Sequence, residues 1–219
     1  MAAKPQLQQA PDFMPVPFAT VAELADCHGS AVDVWCLHGG AWRAVLARYA
    51  GLPVAALTLT ADSYGKPHLA APSLLGFNLS HCGDIVLLAI ARDVEPGVDV
   101  EALRPRPRAL QLAQRYFTAD ETAALAALPV DDRQQAFYRL WTAKEAVLKA
   151  LGRGLAFGLE RVGFRLEAGG TAVLPQDFKD VAAPASAWQL HALAPAPGHL
   201  GALAWRGAPR TLRLFALAG

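Results

Sequence analysis

An α+β fold of two similar lobes is what this sequence predicts, on three observations. A long helical stretch, Phe137 to Leu155, carries apolar residues at three- and four-residue steps. Short strand-like runs lie before and after it, and each half of the chain offers helix together with several antiparallel-type strands. The lobes are expected at 18–101 and 102–219, behind a loose Gln-, Pro- and Ala-rich arm over 1–17, although no internal repeat is visible.

In order, Val32 to Leu37 reads as a short strand and Ala41 to Tyr49 as a helix bearing Arg43 and Arg48, closed by Gly51 and Pro53. Val54 to Thr60 reads as a strand by its β-branched content, and Asp62 to Pro67 (DSYGKP) as a turn. Phe77 to His81 (FNLSH) is a strand end. Ile85 to Ala91 is apolar throughout, as a strand buried on both faces would be. Val98 to Glu101 alternates, which sends Val98 and Val100 into the core and projects Asp99 and Glu101 together from the opposite face. Arg104, Arg106 and Arg108 interleave with Pro105 and Pro107 as a stiff connector that cannot be a helix interior.

Leu110 to Tyr116 is helical, and Thr118 to Glu121 has the form of a capping box opening a helix through Leu128, which Pro129 ends. Asp131 and Asp132 open the central helix, and Gly152 stands where a left-handed stop is needed. Beyond Gly154 the pattern turns to strand-like runs at Val162 to Glu167, Thr171 to Leu174, Trp188 to Leu193, Leu200 to Trp205 and Thr211 to Leu217.

Composition excludes several classes. With 53% hydrophobic and 18% charged residues, the 219-residue chain is globular and long enough to bury a sizeable core. A net charge of +1, with no basic run, zinc-finger spacing or aromatic RNA-binding signature, gives no argument for nucleic acid. The apolar runs are too short to cross a bilayer and no secretory signal opens the chain, so a cytoplasmic protein without membrane contact is expected. Cys27, Cys36 and Cys82 are odd in number and lack metal spacing, which reads as reduced thiols.

The polar residues of the central helix are the ones packing does not require. Glu145 and Lys149 share a face at the i,i+4 spacing, which by itself is a surface pair worth a few tenths of a kcal/mol. Asp99 and Glu101 by themselves are the solvated face of an edge strand. Taken together they admit more: like charges side by side repel, and a divalent cation relieves that cost. Oxygen ligands without a His/Cys cluster select Mg²⁺, with Mn²⁺ as an alternative, and Mg²⁺ takes few protein oxygens alongside water and phosphate. Glu145 would complete the protein's share and Lys149 would neutralise a phosphate, implying phosphoryl transfer from a polyphosphate donor.

The ordered set YGKP, FNLSH, GVDVE, FTADE and FYRLWTAKEAVLKALGRGL, between about Trp42 and Leu155, resembles the signature of the Sfp-type 4′-phosphopantetheinyl transferases. These move the pantetheine arm of coenzyme A to a serine of an acyl or peptidyl carrier protein. The resemblance implies a pseudo-twofold pair of lobes with the active site between them. It implies Asp99, Glu101 and Glu145 as Mg²⁺ ligands on the coenzyme A pyrophosphate, and Lys149 on the same phosphates. Lys66 and Pro67 would line the nucleotide pocket, with Ser80 and His81 on the phosphate and adenosine side. For the general base it offers Glu121 and Glu145; Glu121→Gln is expected to keep the fold, since glutamine satisfies a capping box, and to slow turnover. Lys66 otherwise reads as a turn lysine, His81 as a core histidine, Trp141 as core and Cys82 as a tolerated small residue where the family often has serine.

The sequence departs from the family in the first lobe, where Val32 to Leu37 runs almost directly into Trp42 to Tyr49. Much of a basic segment that in the family helps bind the 3′-phosphate is missing, and Arg43 and Arg48 are the candidate substitutes, since arginine forks suit phosphate. The reading is a monomeric Mg²⁺-dependent transferase that releases adenosine 3′,5′-bisphosphate. The alternatives are a degenerate homologue that binds a carrier protein or coenzyme A without transfer, and a Mg²⁺-dependent nucleotide phosphohydrolase. Arg104, Arg106 and Arg108 offer a docking face for an acidic carrier, or are solvated linker residues.

Overall fold

The β-branched and aromatic content that opens the chain becomes sheet. In a computed structural model that describes residues 12–26, 29–70 and 73–218, β1 (Met14–Val16) and α1 (Val21–Asp26) lead into β2 (Val32–His38) and α2 (Trp42–Tyr49). The hairpin β3 (Leu59–Ala61) and β4 (Pro67–Leu69) precedes three longer strands, β5 (Leu75–Cys82), β6 (Ile85–Arg92) and β7 (Gly97–Ala102). Three helices follow, α3 (Ala109–Tyr116), α4 (Ala119–Ala127) and α5 (Val130–Ala150). The chain closes with the hairpin β8 (Val162–Leu166) and β9 (Val173–Phe178), then β10 (Trp188–Leu193), β11 (His199–Arg206) and β12 (Leu212–Leu217).

Two sheets organise these elements into a mixed α+β fold. The larger has the order β1-β12-β2-β6-β5 and the smaller β10-β11-β7. β12 pairs parallel with both β1 and β2, so the last strand of the chain belongs to the sheet of the first half, while β7 pairs antiparallel with β11 in the sheet of the second. Sheet membership thus crosses the expected boundary at 101/102. The expected loose arm over 1–17 differs at its end, where Met14–Val16 is a strand on β12; residues 1–11 and Cys27 lie outside the described residues.

The period-two pattern of β6 shows how the layers form. Val86, Leu88 and Ile90 face a core with Val45 and Leu46 of α2, whereas Leu87, Ala89 and Ala91 face a second core with Val98, Val100 and Leu203 of the smaller sheet. The run Ile85 to Ala91 is buried on both faces, as its uniform hydrophobicity predicts. On the outer face of the smaller sheet, Ala202, Ala204 and Leu190 pack with Ala143, Ala146 and Val147 of α5 in a third core. The layers therefore run α2, large sheet, small sheet, α5.

α5 lies so close to β7 that only glycine fits between them. A Cβ on Gly97 would stand 2.0 Å from the Ala146 carbonyl oxygen and 2.3 Å from the Ala150 nitrogen. Gly152 ends α5 with φ +67°, as the sequence predicts, although the helix stops at Ala150 and Gly154–Phe157 is a separate 3-10 turn. Two expected strands shift: Val54–Ala56 is a 3-10 turn with the strand delayed to Leu59–Ala61, and Thr171 to Leu174 becomes Val173–Phe178. Pro53 and the pair Gly169–Gly170, both glycines at positive φ, explain the turns that displace them.

Candidate active site

Two sheet edges meet without a backbone ladder. β5 edges the large sheet and β7 the small one, and side chains bridge them: Asn78 Oδ1 accepts from Val98 N at 2.9 Å, Ser80 Oγ from Val100 N at 3.2 Å and Cys82 Sγ from Ala102 N at 3.3 Å. Acceptors at i, i+2 and i+4 of one strand meet donors at the same period on the other. The signal was in the sequence, in the alternation of short polar residues through Asn78, Ser80 and Cys82. Cys82 is a working acceptor rather than a passive small residue.

This seam fixes Asp99 beneath α5. Lys149 Nζ donates to Asp99 Oδ1 at 2.6 Å, to Ser80 Oγ at 3.0 Å and to the Val98 carbonyl at 3.2 Å, while Ser80 Oγ donates to Asp99 Oδ1 at 2.9 Å. The Ser80 hydroxyl is thereby saturated, with one proton given and two accepted. The alternative of a merely solvated carboxylate face does not hold for Asp99, because α5 covers that face and leaves the residue only 5% exposed. Its Oδ2 is buried with no partner at all.

Asp99, Glu101, Glu145 and Lys149 line one cleft of about 390 Å³ together with Ser80, His81 and Trp141. That volume lies within the range of small-molecule sites. The strand supplies two carboxylates and the helix supplies the third, with Lys149 one turn on. Burial pushes the Glu145 carboxyl up to about 7, helped by the charges of Asp99 and Glu101 and opposed by Lys149. Burial also raises Asp99 and Glu101, the latter further through Asp99 and against Arg106, Lys149 and a hydrogen bond from Trp141. Three carboxyls held above their ordinary range in one cleft are a site short of positive charge.

A divalent cation fits that shortage, although no three His, Cys, Asp or Glu side chains among the described residues form a ready-made cage. Mg²⁺ does not require one, since it keeps waters and takes one or two carboxylates with phosphate oxygens. The orphaned Asp99 Oδ2 offers a free ligand, and Lys149 already occupies Asp99 Oδ1 as a cation.

The other sequence candidates fall elsewhere. Glu121 does form the capping box, with Thr118 N donating to Oε2 at 2.8 Å and Glu121 N to Thr118 Oγ1 at 3.2 Å. Its Oε1, however, accepts from Phe164 N at 2.7 Å and from Lys144 Nζ at 2.8 Å, and both side chains of that ion pair are fully inaccessible. Lys144 also donates to the Leu159 and Val162 carbonyls at 2.9 and 2.6 Å. Glu121 is walled into the packing of α4, α5 and β8 and does not line the cleft, which corrects its candidacy as base. Lys144 is the partner sequence reasoning missed.

Lys66 and Arg43 are likewise engaged in bracing. The Lys66 amine is buried against Glu95 at 2.7 Å and reaches the Ala150 and Pro96 carbonyls at 3.3 and 3.5 Å, holding the turn of the β3-β4 hairpin to the end of α5. Pro67 begins β4 and, like Lys66, is not in the cleft wall. Arg43 donates to the Leu57 carbonyl at 2.8 Å and lies over Trp42. Ser80, His81 and Trp141 do reach the cleft, so Trp141 is both core and wall.

Residues 95–200, which hold β7, α5 and most of the smaller sheet, match the family model described as the 4′-phosphopantetheinyl transferase superfamily. The 4′-phosphopantetheinyl transferase HetI of Nostoc sp. is 36% identical over 171 residues, 77% of this chain and 68% of its own length. The 4′-phosphopantetheinyl transferase psf-1 of Bacillus pumilus is 36% identical over 123 residues, 56% of this chain and 52% of its own. A Synechocystis sp. relative is 39% identical over 124 residues, 56% of this chain and 50% of its own. The chain thus spans about half the length of two of these relatives and about two thirds of the third.

Proposed function

The chain belongs to the 4′-phosphopantetheinyl transferase superfamily, and on that premise we propose that it transfers 4′-phosphopantetheine from coenzyme A to a serine of an acyl or peptidyl carrier protein. The observation that carries the proposal is the convergence of Asp99 and Glu101 from β7 with Glu145 and Lys149 from α5 on one cleft, where three carboxyls face one lysine. That is the arrangement a pyrophosphate and a divalent cation would complete.

In this reading Asp99, Glu101 and Glu145 hold Mg²⁺ or Mn²⁺, which supplies charge neutralisation at the pyrophosphate. Lys149 exchanges its bond to Asp99 for a phosphate oxygen and stabilises the charge that develops as the leaving phosphate separates. Ser80 keeps Lys149 and Asp99 in place, and His81, exposed in the cleft wall, faces the nucleotide. The carrier serine oxygen forms a bond to the β-phosphorus as the bond to the bridging oxygen breaks, and adenosine 3′,5′-bisphosphate leaves. The serine proton goes to a carboxylate. Glu145 is the better candidate than Glu121, because it lines the cleft whereas Glu121 is walled into the packing.

Two lobes meeting at the β5-β7 seam, a monomeric state and a cytoplasmic location complete the proposal. Among the described residues no helix is long and apolar enough to cross a membrane. The test is the intact mass of an apo carrier protein after incubation with the chain, coenzyme A and Mg²⁺, beside a Glu145→Gln control. A gain of one phosphopantetheine arm, absent without metal and in the control, is expected; no gain on several acyl and peptidyl carriers would refute the transfer.

A further inference from the structure

The proline-spaced connector after β7 does more than link the two halves. Its backbone is strapped to α5, with Arg106 N donating to Gln134 Oε1 at 3.2 Å and Tyr138 Oη donating to the Arg104 carbonyl at 3.2 Å. Of its three arginines, Arg104 and Arg108 are exposed whereas Arg106 is half-buried. The Arg106 guanidinium lies 5.8, 5.4 and 5.9 Å from the ring centroids of Phe137, Tyr138 and Trp141. Trp141 in turn stacks on Phe137 at 5.9 Å and packs near Phe117 at 6.3 Å. Trp141 and Glu101 line the same cleft, and the indole helps to keep the Glu101 carboxyl ionised against the burial that raises it.

We propose that Arg106 is a positioning residue for the carboxylate of Glu101, acting through the Trp141 ring. Fixed by the prolines on either side and by Gln134, the guanidinium presses the indole against Phe137, and the indole N–H holds Glu101 turned toward the cleft. A ligand carboxylate oriented by an outer hydrogen bond binds metal more tightly than one free to rotate, because less order is lost on binding. The proposal rests on the reading of Asp99, Glu101 and Glu145 as a divalent-cation site.

The sign of the effect separates this role from simple electrostatics. A cation beside a metal site repels the metal, so if Arg106 acted only by its charge on Glu101, removing that charge would tighten metal binding. Positioning through Trp141 requires the opposite. The experiment titrates Mn²⁺ into the full chain with coenzyme A at a fixed level and reads free Mn²⁺ by electron paramagnetic resonance, with thermal unfolding followed in parallel. Arg106→Met, which keeps the apolar stem, is expected to weaken Mn²⁺ binding by roughly tenfold, the lower end for outer-shell partners. Trp141→Phe, which keeps a ring and loses the N–H, is expected to weaken it as much, and the double variant little further. Arg106→Lys, expected to weaken binding about twofold because lysine lacks the planar fork, serves if the methionine variant does not fold. Unchanged or tighter binding in folded Arg106 variants, or fully additive losses in the double variant, would overturn the proposal. Absence of Mn²⁺ binding by the unaltered chain would instead overturn the metal-site reading beneath it.

Discussion

Replacing Glu121 with glutamine tests whether this carboxylate is an architectural ion or a base. The native oxygens are fully used: Oε2 takes Thr118 N, and Oε1 takes Phe164 N and Lys144 Nζ. Glutamine keeps one acceptor oxygen and turns the other into a donor. Whichever way it sits, an NH₂ group faces an N–H or an ammonium, and Lys144 loses its counter-charge in a site that excludes water entirely. Breaking a buried pair by removing one partner costs about 3–5 kcal/mol. The Leu159 and Val162 carbonyls and the ring of Phe117, 5.0 Å away, still attend the ammonium, which argues for the lower figure, about 3 kcal/mol. For a chain of this size that lowers Tm by about 6–12 °C.

The loss carries a pH signature. Burial pushes the Lys144 amine down against the pull of Glu121. Without Glu121 the folded state binds fewer protons at Lys144 than the unfolded state does across a wider window below the ordinary lysine value. Stability then rises with pH, because the unfolded state holds more protons, and the deficit of the variant shrinks toward alkaline pH. Urea unfolding at several pH values measures this, and Glu121→Gln with Lys144→Met together, a neutral pair, recovers much of the loss. Turnover per folded molecule stays within a few-fold of the parent. The reasoning fails if Glu121→Gln unfolds within about 1 kcal/mol of the parent yet turns over a hundredfold more slowly, the size of effect expected for a lost general base.

Three further outcomes follow from the same contacts. Gly97→Ala places a methyl 2.0 Å from the Ala146 carbonyl and forces α5 off β7, so soluble yield collapses or the unfolding free energy measured in urea falls by well over the roughly 1–3 kcal/mol usual for overpacking. Cys82→Ser keeps the acceptor for Ala102 N and unfolds within about 1 kcal/mol of the parent in urea, whereas Cys82→Val orphans that N–H at about 1–3 kcal/mol. In metal-free protein, Glu145 binds its proton up to about 7 when folded, above its ordinary value of 4.5, so the folded state holds more protons between those values and stability falls as pH rises through them. Mg²⁺ therefore raises Tm more at pH 8 than at pH 6, and Glu145→Gln removes that difference; an equal rise at both would count against Glu145 as a ligand.

What could be read from the sequence was whatever repeats locally along the chain. The uniform hydrophobicity of Ile85 to Ala91, the spacing of Phe137 to Leu151 and the capping box at Thr118 each report a neighbour within a few residues, and each reappears in the fold. What escaped was what each polar group meets across the chain. Lys149 lies 50 residues from Asp99, Lys144 lies 18 from the Val162 carbonyl, and Lys66 lies 84 from the Ala150 carbonyl. These three lysines are alike in a pattern of apolar and polar letters, yet only one faces the cleft. The difference is geometric: Lys149 sits at the β5-β7 seam, where two sheet edges are joined by side chains and leave room between them. Lys144 sits one helical turn and a part earlier, under β8, where no such room exists. A packed helix has to satisfy the charges it buries. The sequence announced that obligation but not which partner would meet it.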